Sequence, residues 1–96
     1  MNSMGKVFHP GHEALHGVTV VVGGGSGRVY VGRYHETTIR GVVLHDVATH
    51  MPGQDGLTRE AWIDRQARFG VRAENRLVVV PNEEVESIAR LVELIR

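Results

Sequence analysis

Hydrophobic positions in the first half of the chain fall into short, β-branched runs separated by glycine or polar links. GVTVVV at 17–22, RVYVGRY at 28–34 and GVVLHDVAT at 41–49 are rich in Val and Tyr, side chains that fit a pleated, half-buried surface. GGGSG joins the first two runs and HETTIR joins the second and third. Links this short join antiparallel neighbours, so residues 17–51 read as a meander of three strands. Before them, residues 1–16 are polar, with one short helix candidate, GHEALH, between Pro10-Gly11 and Gly17.

The pattern changes after residue 51. MPGQDGL is a loop signal, and TREAWIDRQARFG follows it. Helical spacing puts Trp62, Gln66 and Phe69 on one face, with Thr58 as cap and Gly70 as stop. A period-2 reading of Ala61, Ile63, Ala67 and Phe69, interrupted by Arg65, keeps a strand open. Leu77–Val80 is a strand halted by Pro81. Beyond it two readings stand. Asn82 and two glutamates suit the first turn of a helix carrying Val85, Ile88, Ala89 and Val92. Alternatively, a single turn at 82–86 leads into a closing strand through Ile88–Leu94. The division is one domain: a turn or helix at 1–16, three strands in 17–51, an insertion at 52–76, and 77–96 as two strands or a strand plus a helix.

Composition narrows the function classes. The chain has 96 residues, 42% of them hydrophobic, which suits a single globular core. Eleven basic residues balance eleven acidic ones, so no global field draws it to nucleic acid or anionic lipid. No run approaches a membrane span, and the N-terminal stretch lacks a signal-peptide core, so a cytoplasmic, non-membrane protein is expected. Without cysteine, any metal site would use His and carboxylates. Six histidines make the charge sensitive to mild acid.

One motif invites an enzymatic reading. HEALH, His12 to His16, has the H-E-x-x-H spacing that places two zinc ligands and a general base on one helix face. Gly17 follows at once and a β-rich run begins, where a metallopeptidase continues its helix. Val22 stands where an extended motif has its third histidine. A zinc hydrolase is therefore kept only as an alternative. His12 and His16, with His9, are the imidazoles that would bind any metal. The expectation is no catalytic residue and no cofactor. GGGSG is likewise a hairpin tip, since Arg28 stands where a phosphate-binding loop or dinucleotide fingerprint would differ.

The order of these runs resembles the Sm-like (LSm) proteins over residues 12–51 and 76–94. Gly32 in VYVGR resembles the glycine that bends that family's second strand. Leu44 and Asp46 resemble the leucine and acidic pair ending its third, and VVVPNEEVESI its last two strands around one tight turn. The resemblance implies a strongly bent, closed five-stranded SH3-like barrel behind a short N-terminal helix. It also implies assembly into a homo-oligomeric ring through edge strands 77–80 and 88–94, with Leu77, Val78, Val79, Val80, Ile88 and Leu91 at the seam. Family members bind single-stranded RNA through the loop after the second strand. Here that loop is HETTIRG, with Thr37 near the family's Asp, Gly41 at its Asn, and Pro81-Asn82 replacing a basic residue and glycine.

The ligand-binding candidates that remain are Tyr34, His35, Thr37, Thr38 and Arg40, since Tyr and His stack on bases and Arg meets phosphate. Against them stands a plainer role for Tyr30 and Tyr34, filling the barrel or the subunit seam. The arginines from Arg59 to Arg76 read as a mixed-charge, solvated face. The expected function is a non-catalytic, self-associating module with a protein or small-molecule ligand. The alternative is a ring that binds single-stranded RNA through an altered pocket.

Overall fold

The structure, a computed structural model, describes residues 15–94. Its strands are β1 (Thr19–Gly24), β2 (Val29–Thr38), β3 (Gly41–His50), β4 (Asn75–Val80) and β5 (Val85–Arg90). Helix α1 (Arg59–Phe69) is inserted between β3 and β4, and 3-10 turns lie at Gln54–Gly56 and Leu91–Leu94. All pairings are antiparallel, in the order β4-β3-β2-β1-β5. The mainly β architecture is the expected one. The N-terminal helix candidate lies outside the described residues up to Ala14, and Leu15–Gly17 form a turn.

The connection Pro81–Glu84 forces the sheet to bend. It joins the two outermost strands, whose separation in a flat sheet would be about 19 Å at ~4.8 Å per step. The turn folds back on itself through Glu84 N–H to Pro81 O (2.9 Å) and Val85 N–H to Asn82 O (3.2 Å). A chain so contracted cannot span a flat sheet. Yet β4 and β5 share no ladder among the described residues, so the sheet is curled but open. The expected closed barrel is corrected to that extent.

Two bulges and one glycine carry the bend. Register between β2 and β3 shifts from Val31↔Ala48 to Arg33↔His45, and Asp46 at φ 52° supplies the extra residue opposite Gly32. A Cβ on Gly32 would stand 2.9 Å from Val47 Cγ2 and 3.0 Å from the His45 carbonyl. Gly32 thus stands where a side chain has no room, opposite the bulge. The extra residue also switches parity. Val42 and Leu44 face the inside, then Val47 does, while Ala48 turns outward.

Each face therefore has its own core. Inside the curl, Val20, Val22, Tyr30, Tyr34, Val42, Leu44, Val47 and Val80 pack together, with Leu15 and Ile88 against them. On the outer face, Val21, Val29, Val31 and Ala48 are covered by Trp62 and Ile63 of α1 and by Leu91. This explains the unbroken valine run of β1, which is buried on both sides.

α1 settles the insertion as a helix. Thr58 accepts from the Ala61 N–H at 3.1 Å, and Gly70 at φ 90° ends the element. Trp62, Ile63 and Gln66 turn inward, but Phe69, expected on the same face, is 77% exposed. At the C-terminus the turn-and-strand reading holds with earlier bounds. β5 is Val85–Arg90, and Leu91–Leu94 is a 3-10 turn instead of the strand's end. A helix from Asn82 would have left the outer edge of β1 without hydrogen-bond partners. Val20 to Gly24 instead pair with β5.

Candidate interaction surfaces

The β4–β5 turn is fastened on both sides, to the elements at either end of β2. Asn82 donates from its side-chain amide to the carbonyls of Thr38 (2.9 Å) and Ile39 (3.3 Å), holding the β2–β3 turn. Glu84 accepts from the Ser26 hydroxyl (2.5 Å) and the Ser26 N–H (3.2 Å), holding the glycine hairpin. Gly25 N–H donates to the Glu84 carbonyl at 2.8 Å. The Ser26 hydroxyl above all, then the Ser26 N–H, keeps the Glu84 carboxyl below its ordinary pKa. Desolvation opposes these, and the nearby Arg28 charge adds a lesser lowering. Composition gave no sign of these two clasps. Asn-Glu-Glu after a proline reads as a helix start from local pattern alone.

The residues proposed for ligand binding do not share a surface. β2 runs on through Thr38, so HETTIR is mostly strand and only Ile39 and Arg40 make the turn. A second register shift, between Tyr34 and Glu36, puts Tyr34 and Thr37 on the same side. Both are buried, and the Tyr34 hydroxyl and Thr37 Oγ1 lie 2.5 Å apart. These two fill the inside of the curl, the plainer role weighed for Tyr34. His35 and Arg40 face outward, and Thr38 is half-buried, its hydroxyl accepting from Arg40 N–H and donating to the Gly41 carbonyl. Gly41 has no room for a side chain, because a Cβ there would overlap the Val80 carbonyl. The position matched to the family's Asn thus serves strand packing.

The edges are more informative. Among the described residues, β4 bonds only to β3, and β5 only to β1. On β4, Leu77 is 57% and Val79 41% exposed, while Val80 is fully buried and Val78 half-buried. Ile88 is half-buried on β5, and Leu91 is covered under α1. Of the proposed seam residues, Leu77 and Val79 project from the protein, whereas Val80 and Leu91 belong to its own cores.

Three histidines gather where the turn before β1 meets β2 and β3. His16 donates from Nδ1 to the His35 carbonyl (2.9 Å), and its ring lies 5.3 Å from that of His35, itself 4.9 Å from His45. Arg33 and Asp46 pair beside them. Among the described residues no group of three His, Asp or Glu side chains is arranged to hold a metal. His9 and His12, the other imidazoles of the metal reading, lie outside the described residues. Among the described residues no helix is long and apolar enough to cross a membrane.

No family model matches the sequence, and no curated protein matches it. Among solved structures, a chain in the crystal structure of the NatC complex bound to CoA is similar, with a TM-score of 0.56. The two are 20% identical over 92% of this chain and 99% of that one. At that identity the likeness is one of fold. The curled five-stranded antiparallel sheet, with its glycine bend and tight β4–β5 turn, fits an Sm-like architecture.

Proposed function

We propose that the protein is a non-catalytic, cytoplasmic, self-associating member of the Sm-like family, whose copies join edge to edge into a homo-oligomeric ring. The ring would present a protein or small-molecule site. The observation that carries this reading is the pair of open edges, β4 and β5, with Leu77 and Val79 exposed on β4. An uncovered apolar edge is a template for another strand, and monomeric proteins blunt such edges with charge, proline or bulges. The described part of β4 carries only Arg76 to that end, at its start. The similar chain comes from a structure named as a complex, which supports partnership with protein.

Light scattering tests the reading. Wild-type protein is expected to weigh several times its 10.6 kDa protomer. The Leu77→Lys, Val79→Lys double variant is expected to fall to a single protomer, because buried lysines at a strand seam are costly. A monomeric wild type would end the ring. Filter binding of oligo-uridylate by the same sample, weakening with salt, would move the ligand to RNA.

A further inference from the structure

A groove runs between α1, the loop 51–57 and the segment 70–74, with Ala48 and Thr49 of β3 at its base. Its two halves, of about 450 and about 360 Å³, share Asp55, Trp62, Gln66 and Arg72. Within the groove, the acceptors and the donors differ in which are already bonded. Its carboxylates are engaged. Asp55 accepts from His50 Nε2 (3.2 Å) and the Leu57 N–H (3.1 Å), and Glu74 accepts from the Thr49 N–H and hydroxyl (3.3 Å each).

The donors are not engaged. Among the described residues, Arg65 and Arg72 form no ion pair, in contrast to Arg68, which bonds Asp64 at 2.7 Å on the same helix. Gln66 is buried, and its carbonyl accepts from the Arg72 N–H (3.1 Å), which leaves the amide N–H₂ without a partner among the described residues. Trp62 is buried and stacked on His50, 5.1 Å away, and its indole N–H likewise has none. A buried donor without an acceptor is costly, so the two buried donors of Gln66 and Trp62, beside the exposed Arg65 and Arg72, suit an acceptor supplied from outside. Arginine's planar fork matches a carboxylate. Apolar surface stands beside this polar set, for Phe69 is 77% exposed on one wall, with Leu57 near it.

The geometry points to a docking groove for an acidic, extended peptide segment of a partner protein. Its carboxylates would meet Arg65 and Arg72, its backbone carbonyls Gln66 and Trp62, and an apolar side chain Phe69. An extended peptide fits because it supplies charge, carbonyls and apolar area in one chain, whereas a lone anion would leave Phe69 bare. This deepens the interaction-module reading and rests on it for the idea that the partner is a protein. The groove ends at Glu74, just before β4, and its lining includes neither Leu77 nor Val79.

Trp62 is the chain's single tryptophan, so its fluorescence reports on the groove directly. The experiment titrates wild-type protein with a blocked hexapeptide alternating glutamate and leucine, with its glutamine counterpart, with inorganic phosphate and with oligo-uridylate. Light scattering is recorded on each sample. A saturable change with the acidic peptide is expected, weakened about ten-fold for the glutamine peptide and for the Arg65→Gln, Arg72→Gln double variant, at unchanged particle size. Equal binding of the two peptides by wild-type protein would overturn the proposal. So would a double variant that binds like wild type, or occupancy by phosphate or oligo-uridylate in preference to the peptide. A monomer that still binds the acidic peptide would remove the ring and leave the groove standing.

Discussion

The two faces of the sheet reach burial by different routes. The inner face is covered by the sheet itself. Bulges at Asp46 and beside His35, the close approach at Gly32 and the fastened β4–β5 turn bring five strands around one cluster of aliphatic and tyrosine side chains. The outer face is covered by an appended element, a largely polar helix that contributes Trp62 and Ile63, with Leu91 from the C-terminal turn. The inside thus depends on backbone geometry, and the outside on a few large side chains. The difference bears on the proposed docking, because the appended element also lines the groove with its unbonded donors. In the strand framework, by contrast, the side chains of Asn82 and Glu84 are committed to holding turns together.

The sharpest way to break this contrast is Gly32→Val. A branched side chain there meets Val47 and the His45 carbonyl, both set by the bulge. The loss should be about 3 kcal/mol or more, and urea denaturation should show most of the protein unfolded early. A Gly32→Val protein as stable as wild type would mean that the bend is held elsewhere. Next come truncations that compare the faces. Leu44→Ala, fully buried inside, is expected to cost about 3 kcal/mol, and Ile63→Ala, under the helix, about 2. Hydrogen exchange should accordingly show α1 amides opening before those of β1. Equal costs with simultaneous opening would make the two cores one cooperative unit.

The smallest expected effect concerns the clasp between Glu84 and Ser26. The pKa of Glu84 is lowered in the folded protein. Its contribution is therefore present above the unfolded value, about 4.3 for a glutamate, and disappears as pH falls through the lower folded value. Glu84→Gln should be slightly less stable than wild type near pH ~7 and indistinguishable near pH ~2, compared by urea midpoints. A constant difference across that range would show that the Ser26 contacts do not favour the charged form.

Much of the framework was legible in the residues. Valine-rich runs marked β1 to β4, and Thr58 and Gly70 bounded the helical one of the two readings of the insertion. Each is a local signal, read within a few residues of the feature it predicts. Less could be read at Tyr34 and Thr37. Alternation puts residues three apart on opposite faces, and only a bulge, which depends on the partner strand, brings them together inside. The C-terminal segment was ambiguous for the same reason. Val85, Ile88, Ala89 and Val92 fit a helix, and the open edge of β1 decides for a strand.

By itself the sequence determined a small, mainly β domain with an insertion that fitted both a capped helix and a strand, because periodicity and capping act over short range. Tertiary structure alone decided that the sheet stays open, which side chains reach the surface, and which of the described arginines lack a carboxylate. Those outcomes depend on pairings between distant residues, such as Asn82 with Thr38 and Glu84 with Ser26.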